Sequence, residues 1–117
     1  MTQAIFRHGE PTMIDYTPSA GNVNAGDVVL LGNTTGLTLG IAHHDITNNA
    51  LGALAAGGGI YDVVNLNNAA NYAKVWWDTT NTKITTVSTN NALFGFVVEN
   101  GGGGANTTCR AKHFPNV

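Results

Sequence analysis

Apolar and polar positions along this chain recur with a period of two, most clearly from Tyr72 to Val87. Both ends of that stretch are rich in β-branched and aromatic residues. Its middle, Asp78-Thr79-Thr80-Asn81, carries short polar side chains that hydrogen-bond their own backbone and favour a turn. The pattern predicts a β-hairpin. Val75 and Trp77 then point one way and Lys74 and Trp76 the other, and Ile84 separates from Thr85 in the same manner across the turn. One tryptophan fills a core while its neighbour looks outward: Trp76 on this assignment, Trp77 on the opposite one. A large aromatic surface left wet invites association, so the pattern points to contact with other protein.

The same reading extends along the chain. Ala4-Ile5-Phe6-Arg7 is a strand-like patch before the breaker Gly9-Glu10-Pro11, and residues 1–11 read either as a first strand or as an N-terminal arm reaching toward a neighbour. Met13 to Tyr16 alternates and stops at Thr17-Pro18. Val28-Val29-Leu30-Leu31 is apolar at every position, which predicts a strand buried on both sides. After a turn cluster at Gly32 to Gly36, Leu37 to Ala42 alternates strictly and is expected to pair with it. His43 to Leu51 has no β pattern and room for one helical turn at most. Gly57-Gly58-Gly59, between Leu51–Ala56 and Ile60–Val64, marks a tight bend or a close backbone approach.

Asn65 to Asn71 reads as a loop or short helix, and Ala92 to Val98 as a strong strand in which Gly95 marks a point where a neighbour presses close. Residues 100–106, with Gly101, Gly102, Gly103 and Gly104, form a flexible glycine-rich loop. Thr107 to His113 is polar at alternate positions and is expected at an edge or an interface. Turn signals about every ten residues and no helix of useful length predict an all-β fold. The expected form is a small β-barrel or β-sandwich of short, mostly antiparallel strands, as one domain over residues 1–117.

Composition narrows the function. Of 117 residues only 10% are charged, well under the roughly 25% of an ordinary globular chain. A formal charge of -2 with five scattered basic residues leaves no footprint for nucleic acid. No apolar run is long enough to cross a bilayer, and the N-terminus lacks the plan of a signal peptide, so synthesis in a cytosol is expected. The lone Cys109 fits a reducing compartment and reads as a small buried hydrophobe. The sequons at Asn33 and Asn106 read as turn chemistry.

Candidate chemistry is thin. His43-His44-Asp45 gathers metal-ligand types, but neighbours on an extended chain face opposite sides, and a site would need His8 or His113 to come near. No serine sits in a nucleophile elbow, and Cys109 lies in a strand beside Arg110, so neither catalysis nor a cofactor is expected. Neither glycine run precedes Lys and Ser or Thr, as a phosphate loop requires. Tyr72, Trp76 and Tyr61 could stack on sugar rings, which keeps open a carbohydrate-binding or adhesion module. The competing reading is a protein interface with an aromatic anchor.

An ordered set of segments resembles a family of tailed-phage capsid cement, or decoration, proteins. They are Gly9-Glu10 with Ile14 to Pro18, Ala25 to Val29, Gly40-Ile41-Ala42, Gly59 to Val63, Ala73 to Asp78 with Lys83 to Thr86, and Leu93 to Val97. The Gly101–Gly104 run and the tail from His113 to Val117 depart from the family pattern. The resemblance implies a non-enzymatic protein on the outer surface of a phage head at capsomer junctions, with the major capsid protein as partner and a homotrimer as assembly. Interface residues expected on these grounds are Ile5, Phe6, Arg7, Tyr72, Lys74, Trp76 and the four glycines Gly101 to Gly104.

Overall fold

Trp77 sits at the centre of the molecule, 1% exposed, because the strand that carries it alternates as the sequence predicts. The computed structural model describes residues 3–32, 38–89, 91–102 and 104–115. The expectations for Met1-Thr2, for Asn33 to Leu37, for Gly103 and for Asn116-Val117 lie outside these. Among the described residues the strands are β1 (Ile5–His8), β2 (Thr12–Tyr16), β3 (Val28–Leu31), β4 (Thr38–Ala42) and β5 (Gly52–Gly57). They continue with β6 (Ile60–Asn65), β7 (Lys74–Asp78), β8 (Lys83–Thr85), β9 (Ala92–Glu99) and β10 (Thr107–His113). The fold is all-β.

Two antiparallel sheets hold these strands. Sheet A has the order β1-β6-β10-β9-β7-β8, and sheet B the order β2-β5-β4-β3. A parallel bridge between Asn65 and Ile84 also joins β8 to β6, so sheet A curls partly into a ring. Its inner face gives Tyr61, Val75, Trp77, Ile84, Phe94 and Val97 to the main core, against Leu39, Ile41 and Ala55 from sheet B. A smaller cluster of Val23, Ala42, Ile46 and Leu54 covers the other face of sheet B.

The sheets are joined by a bent ribbon. β1 pairs with β6 and β2 with β5, and the chain crosses between sheets at Gly9–Pro11 and at Gly57–Gly59. Close approach requires glycine here, since a β-carbon on Gly9 would lie 2.9 Å from the Cα of Gly59. Gly58 and Gly59 also turn with φ of 85° and 87°, a region that side chains disfavour.

Two strand placements differ from the sequence reading. β3 lies at the edge of sheet B with Leu30 37% exposed, rather than buried on both sides. β10 is not at an edge but lies between β6 and β9, burying Cys109, Ala111 and His113. An alternating pattern reports one wet face and is silent about how many neighbours the strand has. Thr85 is buried as well as Ile84, and its hydroxyl donates to Asn67 Oδ1.

Candidate functional site

The outer face of sheet A carries the chain's exposed chemistry. On β7 the alternation sends Lys74, Trp76 and Asp78 outward, on β9 Leu93 and Phe96, and on β10 Arg110 and Lys112. In register, Phe96 lies between two lysines: Lys74 stands opposite it on β7, and Lys112 opposite it on β10. The Lys112 ammonium also sits 5.5 Å from the centre of the Phe114 ring. Tyr72, Lys74, Leu93, Gly95, Phe96 and Phe114 line a cleft of about 430 Å³. Tyr72 and Phe114 are 76% and 59% exposed.

Local structure fixes both rims. Asn65, itself buried, donates through Nδ2 to the Ala69 carbonyl at 3.1 Å and accepts from the Ala69 amide at 2.9 Å, clasping the loop after β6. The loop then reaches Tyr72, whose amide donates to the Val97 carbonyl at 2.6 Å and whose φ is 68°. Left-handed backbone is costly for an aromatic residue, so the surrounding bonds hold this ring out against a local preference. On the other rim the Phe114 amide donates to the Phe94 carbonyl at 2.8 Å, which continues the ladder past the end of β10.

Lysine and arginine are confined to sheet A. Arg7, Lys74, Lys83, Arg110 and Lys112, all five basic residues, stand on strands of sheet A. Arg7 and Arg110 share Asp62 at 3.6 Å and 3.5 Å, and Lys83 stands opposite Asp78. Lys74 and Lys112 pair with no carboxylate among the described residues. Glu10, Asp15, Asp27 and Asp45 lie on sheet B and the connections around it, where no Lys or Arg stands, and the other three carboxylates, Asp62, Asp78 and Glu99, are on sheet A.

The residues expected at an interface fall in separate places. Tyr72 and Lys74 enter the cleft. Trp76 lies one step along β7, opposite Leu93 and Thr85, and is half-buried, so the wet aromatic surface belongs instead to Tyr72 and Phe114. Ile5, Phe6 and Arg7 form the exposed edge strand β1, where the Phe6 ring packs 4.7 Å from His43 and 5.5 Å from Tyr61. Gly101, Gly102 and Gly104 belong to the β9–β10 turn, and Gly103 lies outside the described residues. Phe96, Lys112 and Phe114 escaped the sequence reading. Their signal was the alternation of β9 and β10, which becomes a site only once the register is known.

The other candidates are occupied structurally. His43 Nε2 lies 2.6 Å from the Tyr61 hydroxyl, and no group of three metal-ligand side chains comes together among the described residues. Burial, with Asp62 nearby, pushes the Cys109 thiol up to about 11, away from nucleophilic use. The amides beside Tyr72 are engaged with one another and the backbone. Asn100 donates from its amide to Asn71 Oδ1 at 2.7 Å and from Nδ2 to Asn68 Oδ1 at 2.9 Å, and its own Oδ1 accepts from Gly102. This leaves fewer free groups for a sugar.

A family model described as phage cement protein matches residues 6–113. No curated protein and no solved structure matches the chain.

Proposed function

The chain belongs to the phage cement protein family, and from that premise we propose that it binds the outer surface of an assembled phage head. The partner is the major capsid protein at the junctions between capsomers. The protein is a structural one without an enzymatic role, made in the host cytoplasm and acting as a homotrimer. The observation that carries this reading is the family match over residues 6–113, and a cleft between Tyr72, Lys74, Phe96 and Phe114, where folding leaves aromatic rings beside an unpaired ammonium group, agrees with a protein made for contact with other protein. Aromatic residues in such positions are the usual anchors of protein interfaces.

The mechanism is linkage. A domain that binds the mature lattice and not the immature or broken one stabilises the former by mass action, and many copies on one shell add their contributions. Trp76 stiffens the floor beside the cleft. Ile5, Phe6 and Arg7 offer a second contact, and the turn that holds Gly101, Gly102 and Gly104 a third.

Electron microscopy of the intact particle tests the reading. The expected result is density for this domain outside the shell, at capsomer junctions and in groups of three, with heads lacking it breaking at lower temperature. Absence from the exterior of mature heads overturns it.

A further inference from the structure

Folding leaves a second exposed patch whose chemistry is the inverse of the cleft. β2 is one of the two edges of sheet B, opposite β3, and its side chains are exposed on both faces from Thr12 to Asp15. Met13 is 43% exposed, and Asp15 lies two residues on, pointing to the same side. The pair therefore presents a flexible apolar side chain and a carboxylate about 7 Å apart. The cleft presents the rings of Tyr72, Phe96 and Phe114 beside the ammonium groups of Lys74 and Lys112. A thioether among aromatic rings and a carboxylate at an unpaired ammonium are both favourable contacts.

The placement of Lys74 and Lys112, without a carboxylate partner, on sheet A and of the exposed Asp15 on sheet B makes the match directional. Pairing two sheet-A faces brings lysines together, and pairing two β2 edges brings carboxylates together. Head-to-tail contact satisfies both. We propose that a second copy of this chain occupies the cleft, with its Met13 among the rings and its Asp15 against Lys74 or Lys112. Such a contact uses two different patches of each subunit, so a rotation that closes gives a ring rather than a two-fold dimer. The inference rests on the homo-oligomer reading above and supplies its surfaces.

Sedimentation of the full chain, with head binding measured in parallel, tests it. Asp15→Lys alone, and Lys74→Glu with Lys112→Glu, should each weaken self-association about tenfold or more. The triple variant carrying all these changes should restore it, which also shows that the parts still fold. Added salt should weaken the wild-type association. A monomeric wild type, or an oligomer indifferent to every variant, overturns the inference. If the lysine variant stays oligomeric and loses head binding, the cleft faces the capsid, and the inference falls while the cement reading stands. If the wild type fails to bind heads, it is the cement reading that falls.

Discussion

The carbonyl oxygen of Lys112 lies only 1.9 Å from where a β-carbon on Gly95 would stand. Gly95 has a φ of 151°, and the β7–β9 ladder shifts register beside it, between Val75 and Trp76. The backbone of β10 therefore occupies space that every other residue type needs. Gly95→Ala should cost about 3 kcal/mol of stability through backbone strain and a forced shift. Urea unfolding checks this, and an unchanged midpoint would show that the ladder yields freely. Lys112 and Phe114 sit on the displaced segment, so the cleft should deform with it.

His113 introduces an acid sensitivity. It is fully buried between the sheets, its ring 6.1 Å from Tyr61 and 5.4 Å from Phe94. Neither ring nitrogen makes a well-formed hydrogen bond among the described residues. Burial lowers its pKa from 6.5 to about 4, against a smaller opposing contribution from the Leu39 backbone, with His43 adding to the lowering. The unfolded chain thus binds a proton that the folded chain refuses. The stability this holds is intact above 6.5 and is lost as pH falls from there to about 4. At about 1.4 kcal/mol per pKa unit the loss is about 3 kcal/mol. His43, lowered by its own burial and by His44, acts in the same direction. Urea midpoints measured across that range should fall with acid in the wild type and fall much less in His113→Leu. Equal slopes in the two proteins would exclude His113 as the cause.

Neighbouring tryptophans should separate folding from binding. Trp77 packs 6.0 Å from Phe94 in the core, so Trp77→Ala should cost about 3–5 kcal/mol and abolish the near-ultraviolet signature of a packed ring. Trp76 faces outward and is half-buried, so Trp76→Ala should cost about 1 kcal/mol of stability. Its larger effect should be on head binding, at about 2 kcal/mol, as the floor beside the cleft loosens. Wild-type occupancy of heads by this variant would remove Trp76 from the interface.

The fold was legible where the signal was local. The Tyr72–Val87 hairpin was readable because Asp78 and Asn81 announce the turn, and there Asn81 donates to both carboxylate oxygens of Asp78. A period of two required that one of the neighbouring tryptophans be buried, and the structure shows that it is Trp77. Position within a sheet was not legible, since Val28 to Leu31 looks doubly buried and lies at an edge, while Thr107 to His113 looks peripheral and lies between two strands. The cleft was half legible. Tyr72 and Lys74 lie beside the hairpin, but Phe96, Lys112 and Phe114 come from elements that meet only through the bulged β7–β9 and β9–β10 registers.

Asn100 connects the glycine turn to the loop that presents Tyr72. Its backbone amide binds Asn71, and its Nδ2 donates both to Asn68 Oδ1 and to the Ala69 carbonyl, the latter at 2.7 Å. Asn65 donates to the same carbonyl from inside, so removing the Asn100 side chain leaves Ala69 partnered. Asn100→Ala should therefore cost only about 1 kcal/mol of global stability. Tyr72, held at a φ of 68° with fewer restraints, should relax toward ordinary backbone and move its ring from the cleft rim. The expected result is faster amide hydrogen exchange across residues 68–73 and weaker head binding, with the urea midpoint nearly unchanged. Asn65→Ala offers the contrast, because it strips the buried Ala69 amide of its partner, while the carbonyl keeps Asn100, and it should cost about 2 kcal/mol or more. If both variants unfold alike, the loop is part of the core's cooperative unit and Tyr72 is not separately positioned.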